Sequence, residues 1–326
     1  MGASCNRSDL LRLGLFTLSL SHQSHTRISV LARSTGATAM LTRVFVLIAV
    51  LAWNSNAASL QSSASRQDRQ DLEVITLDSK GNPAETVYYS YDQLLTLPTV
   101  TVKTERDPNT NTPATYTGIY ISDLFEALNP GASFDVIGAI RLDKYRQYYD
   151  RDYVARHRPI LLLKFDGKVP NDWPQTEDRN MLGPYCIVHE SFSPAEAIYS
   201  YVEKPRDMYG IVSVELSRFA QTLGRFVPKE SGNDPEVVKG QKIAVESCST
   251  CHNLGNAGGQ MGPPWAVIAA AVVISKDRFR NKVADPHSLN PTSRMTPHPE
   301  FDDNTFKALE TYFKAILPYS MEQWRH

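Results

Sequence analysis

Residues 234–252 read Asp-Pro-Glu-Val-Val-Lys-Gly-Gln-Lys-Ile-Ala-Val-Glu-Ser-Cys-Ser-Thr-Cys-His, and the last five decide how the C-terminal third of the chain folds. Cys248 and Cys251 are two residues apart and His252 follows directly. That spacing suits covalent haem attachment: two thiols reach the vinyl groups of adjacent pyrrole rings while the next imidazole faces the iron. A structural zinc site would need a second ligand pair, and no cysteine follows Cys251. A redox dithiol is expected on a βαβ pattern, not at the end of a helix.

Downstream, Gly258-Gly-Gln-Met-Gly262-Pro263-Pro264-Trp265 reads as a turn-rich loop, and helical stretches are expected around 265–273 and 276–283. A second loop, Asn290-Pro-Thr-Ser-Arg-Met295-Thr-Pro297-His298, precedes the last helix. There Phe306, Leu309, Phe313 and Ile316 recur at helical spacing and define one apolar face.

Over residues 234–318 these features resemble the class I cytochrome c family. The resemblance implies an all-α domain, here 236–326, with one haem c. Cys248 and Cys251 would be its thioether anchors, and His252 and Met295 its axial iron ligands. Gly262 and Pro263 would support His252 from the proximal side, a backbone carbonyl accepting the Nδ1 proton so that Nε2 binds iron. Gly240 would sit where the first helix crosses the last, beneath Tyr312 or Phe313. Thr296 departs from the family's Met-Pro pair, which keeps His298 open as a rival sixth ligand. The pattern Gly262-Pro-Pro-Trp265 with Asn290-Pro291 and Met295 is also similar to the small monohaem subunit of thiosulfate-oxidising complexes.

Upstream, Pro228–Pro235 is rich in Pro, Gly and polar residues and reads as a linker, 228–235. Before it, short β-rich runs at 72–77, 99–103, 160–165, 185–188 and 211–216 alternate with helical pieces at 122–128 and from Ser193. This predicts an α+β domain over 71–227. Its segments Tyr116-Thr-Gly118-Ile-Tyr-Ile-Ser-Asp-Leu124, Leu142-Asp143-Lys-Tyr145, Leu161-Leu-Leu-Lys-Phe-Asp166-Gly167-Lys168 and Gly183-Pro184-Tyr-Cys-Ile-Val188 resemble the molybdopterin-binding domain of sulfite oxidases. The family's molybdenum-binding cysteine, however, has no counterpart in Thr99–Arg106. Cys186 reads as a small buried hydrophobe, and Arg156-His157-Arg158 as a solvated turn. The expectation is a retained fold without molybdopterin.

At the N-terminus, Val44–Ala52 is an apolar run behind Arg43, followed by small residues at 55–58. This reads as a signal peptide, 40–58, cleaved near Ala57 or Ala58; it is too short for a stable membrane anchor. Residues 1–39 read as a misannotated or non-mature extension, and 59–70 as a disordered tether. From Ala58 the chain carries 29 Lys and Arg against 34 Asp and Glu, with no basic stripe to suit a nucleic acid. The sequence therefore points to a periplasmic monohaem carrier of single electrons to or from a partner dehydrogenase or oxidase, the α+β domain docking that partner. Two alternatives stay open: a molybdenum sulfite-type dehydrogenase with its own haem domain, and a haem sensor with an open axial site. Whether the chain is itself an enzyme is not decided by these residues.

Overall fold

The computed structural model describes residues 60–129, 131–176, 181–190, 204–230 and 233–325. They belong to one compact unit, Ser55–His326. The extension 1–39, the signal segment 40–58 and the helix start at Ser193 lie outside the described residues.

Strand β7 (Ile160–Phe165) explains the architecture of the first half, because its residues Ile160–Leu163 are all buried. Alternate side chains of a strand point to opposite faces, so an uninterrupted apolar run needs cover on both. Leu161 and Leu163 face a cluster containing Leu124, Phe125, Leu128 and Tyr153, supplied by helices α2 (Ile121–Leu128) and α3 (Arg151–His157). Ile160, Leu162 and Phe165 face another cluster with Val102, Tyr116, Trp173 and Cys186.

Among the described residues the sheet has nine strands. In order of pairing they run β2 (Pro83–Tyr89), β1 (Leu72–Leu77), β9 (Met208–Ser217), β8 (Tyr185–Val188), β7, β4 (Ala114–Tyr120) and β3 (Val100–Thr104). A hairpin of β5 (Val136–Arg141) and β6 (Arg146–Asp150) joins through β5 to β9. The β1–β9 pairing is parallel and the others are antiparallel. This is the α+β arrangement that the strand-rich texture predicts, with β2, β4, β5 and β6 added.

Residues 60–70 correct an expectation. They were expected to form a disordered tether, yet they lie along the sheet. Ser63 bridges Tyr88 with 2.9 Å bonds in both directions, the Tyr185 hydroxyl donates to the Gln70 carbonyl, and Leu60 packs on the core. The polar side chains that make this segment look unstructured are spent on local turns, such as Asp71 accepting from the amides of Gln67 and Asp68. Arg156-His157-Arg158 is corrected in part: Arg156 and Arg158 are exposed, as expected, but His157 is buried at the end of α3 with its ring 4.7 Å from that of Tyr153, and Arg158 takes the left-handed helix-ending conformation over Tyr120.

The second half is helical: α4 (Pro235–Cys248), α5 (Trp265–Ile274), α6 (Lys276–Ala284), α7 (Pro286–Leu289) and α8 (Asp303–Trp324), with only a two-residue ladder, β10 (Asn253–Leu254) and β11 (Ala257–Gly258). Asp234 caps α4 by accepting from the Glu236 amide, with Pro235 in the first turn where no amide is missed. Asp302 caps α8 by accepting from Thr305. Phe306, Leu309, Phe313 and Ile316 are buried as one face of α8. Among the described residues no helix is long and apolar enough to cross a membrane.

Helices α4 and α8 cross at Gly240. A Cβ there would overlap the Ala308 carbonyl and come within 2.7 Å of the Tyr312 Cβ. Tyr312, not Phe313, covers the glycine. Its hydroxyl donates to the Phe226 carbonyl at 2.8 Å and accepts from the Trp265 indole at 3.1 Å. Phe226 precedes the linker but packs in the helical core, its ring 4.7 Å from Trp265. Gly240→Ala should therefore force the two helices apart, at a cost of about 2 kcal/mol or more, the range of overpacked cores. Denaturant unfolding of the variant against wild type checks this.

Candidate functional site

Helix α4 ends at Cys248, and the chain turns immediately: the amides of Cys251 and His252 both donate to the Cys248 carbonyl, at 3.2 and 3.0 Å. The turn is then pinned to the loop that follows. The Gly259 amide donates to the Ser249 carbonyl, and the amides of Met261 and Gly262 donate to Cys251. Five consecutive residues of sequence thus become a rigid corner with Cys248, Cys251 and His252 on it.

His252 is 8% exposed. Its Nδ1 donates to the Pro263 carbonyl oxygen at 2.7 Å. Burial pulls the imidazole below its usual pKa, the bond to Pro263 partly opposing this. A neutral ring whose Nδ1 carries the proton leaves the Nε2 lone pair as the only acceptor, which is the state a metal-ligating histidine needs. Gly262 lies against the same ring: a Cβ would overlap Cε1 and sit 2.5 Å from Nδ1. Position 262 thus has no room for a side chain while the imidazole keeps this orientation.

Cys248 and Cys251 are free thiols. Burial pushes the Cys248 thiol up to about 12, with the Lys204 charge opposing. Burial raises Cys251 too, against a hydrogen bond from Thr250. Met295 is half-buried and packs, like Cys248, against the helical core. Its loop is held by the Lys282 ammonium donating to Ser293 Oγ, by the Met295 amide donating to the same oxygen, and by an Arg294–Asp143 contact at 3.6 Å. The rival His298 is engaged elsewhere: its Nδ1 lies 3.0 Å from Glu300 and its ring stacks on Phe301 at 4.6 Å. The structure gathers Cys248, Cys251, His252, Gly262 and Pro263 into one corner, and Met295, like Cys248, packs against the helical cluster.

The wall contributed by the sheet was not foreseen. The β5–β6 hairpin reaches the corner through two main-chain bonds, Arg146 amide to Thr250 carbonyl and Gln260 amide to Lys144 carbonyl, and through the Gly258 amide donating to the Tyr148 hydroxyl. Arg206 pairs with Glu246 of α4 at 3.0 Å. Arg206 and Glu246 are 40 residues apart, and no local pattern marks either. Cys186, by contrast, sits as expected in the core at 2% exposure, its Sγ donating to Leu182.

No family model matches the chain, and neither does any curated protein. Among solved structures, the crystal structure of the sulfane dehydrogenase SoxCD from Paracoccus pantotrophus is similar at 14% identity with a TM-score of 0.29. That likeness covers 48% of this chain and 40% of that one, so this chain spans less than half of it. A likeness of this size carries no argument about activity.

Burial pushes the Cys186 thiol far up as well. Iodoacetamide should therefore modify it at least about a hundredfold more slowly in the native protein than in the denatured chain, since a central strand opens rarely. Peptide mapping after timed labelling measures this.

Proposed function

We propose that the chain is an exported electron carrier holding one haem c through thioether bonds at Cys248 and Cys251. His252 and Met295 would hold its iron. The observation that carries this reading is the 2.7 Å bond from His252 Nδ1 to the Pro263 carbonyl, which leaves Nε2 free for iron. The two free thiols on the same corner supply the anchors. Haem c, when bound, supplies a one-electron ferric–ferrous couple.

Each protein group has a part in that task. Cys248 and Cys251 fix the porphyrin to the end of α4. Pro263 holds the imidazole tautomer and Gly262 leaves its face clear. Met295, a soft thioether, favours ferrous iron and raises the potential. With His252 and Met295 both holding the iron, the group would exchange electrons and leave no position for a substrate. The partner, a dehydrogenase or oxidase in the periplasm, docks on the sheet half, whose β5–β6 turn touches the corner directly and so brings a docked protein beside it. Export rests on the apolar run Val44–Ala52.

The test is spectroscopic. In the ferric protein, Met295→Ala should abolish the weak sulfur-to-iron charge-transfer band at the red edge of the visible spectrum, whereas His298→Ala should keep it. A wild type without that band, or a Met295→Ala variant that retains it, contradicts Met295 as ligand. Cys248→Ala and Cys251→Ala should each lower the yield of haem-bearing protein severalfold, because ligand capture and folding of such a site are coupled. Yield is read from haem absorbance per mole of chain.

A further inference from the structure

Arg206 and Glu246 form an ion pair buried where the sheet meets α4, their side chains 11% and 2% exposed. Glu246 precedes Cys248 by two residues, about 3 Å along the helix axis. Its Oε2 accepts from Arg206 Nη2 at 3.0 Å and Nε at 3.2 Å, while Oε1 has no hydrogen-bond partner among the described residues. Arg206 is immobilised on every side. Nη1 donates to the Tyr148 carbonyl at 2.8 Å and lies 3.8 Å from Asp150, and the guanidinium sits 4.0 Å over the Tyr153 ring. Its own amide donates to the Tyr153 hydroxyl, and its carbonyl accepts from Tyr149. Lys204, two residues earlier, is the cation whose charge reaches Cys248. Through Arg206, the segment 204–206 lies against the end of α4 that carries Cys248.

Burying two charges is costly, and apolar residues of the same shape would hold an interface as well or better. A buried pair half a helical turn from a haem anchor invites another explanation. Charges in a dry site act on a neighbouring redox centre with little screening.

We propose that the Arg206–Glu246 pair tunes the reduction potential of the haem held by Cys248 and Cys251, the carboxylate favouring ferric iron and the guanidinium favouring ferrous iron. This rests on the haem reading above. The sheet is then an electrostatic wall of the redox site in addition to a docking surface. At an effective dielectric of about 20, a unit charge roughly 10 Å from any redox centre changes its reduced-to-oxidised ratio by roughly tenfold.

The experiment is potentiometric titration of the full-length holoprotein and its variants. Glu246→Gln should raise the ferrous-to-ferric ratio at fixed potential by roughly tenfold, and Arg206→Met should lower it by a similar factor. Arg206→Lys, which keeps the charge, should stay within about twofold of wild type. A merely structural pair would move Glu246→Gln and Arg206→Met in the same direction, through a loosened site. That outcome overturns the proposal, as does an unchanged ratio in Glu246→Gln. Should Arg206→Met fail to fold, Glu246→Gln and Arg206→Lys decide the matter by the same criteria. Wild-type protein without covalent haem would instead remove the underlying reading, which the absorbance of the untitrated sample reveals first.

Discussion

An imidazole can serve a metal only if its proton sits on the other nitrogen, and in this protein one hydrogen bond decides that. The Pro263 carbonyl takes the Nδ1 proton of His252, and the loop that delivers it is itself tied to the Cys248–His252 turn. Much of the helical half serves that geometry. The turn is placed by α4, α4 is placed by its close crossing with α8 at Gly240, and the crossing is sealed by Tyr312, Trp265 and Phe226. A disturbance at any of these levels reaches the ring. Gly262 shows how little slack there is, since even one methyl group would collide with the imidazole.

The sheet half is not a separate body on a tether. Its β5–β6 hairpin bonds the backbone of the loop that follows Cys248, and Arg206 reaches across to α4. Hydrogen bonds and an ion pair therefore tie the sheet to this end of α4. Buried main-chain groups need partners, so the loop between Cys251 and Trp265, poor in regular structure, finds several of its partners on strands more than a hundred residues earlier. This dependence makes the sheet part of the site whether or not it also receives a partner protein.

What the sequence made legible follows from how local each signal is. Cys248, Cys251 and His252 are adjacent, so their chemistry can be read without knowing the fold. Phe306, Leu309, Phe313 and Ile316 repeat at helical spacing, and the uninterrupted run at Ile160–Leu163 announces a strand covered on both faces. Strand β2 was hidden because it begins with Pro83 and carries an exposed Glu85, as edge strands do. Strand β5 was hidden by Gly138 in its interior, and β6 by Arg146, Gln147 and Asp150, which leave only Tyr148 and Tyr149 to signal a strand. The segment 60–70 misled for a related reason: polar side chains that bond their own turns have the same composition as those left in water. Arg206 and Glu246 lay beyond reach, because their meaning lies wholly in a contact between distant parts of the chain.

The most direct measurement is the intact mass of the mature, fully denatured protein, with its free thiols counted in the same sample. A mass above that of the polypeptide by one haem, with Cys186 as the one alkylatable cysteine, is the predicted result. A mass equal to the bare polypeptide, with Cys248 and Cys251 alkylated alongside Cys186, would contradict the account.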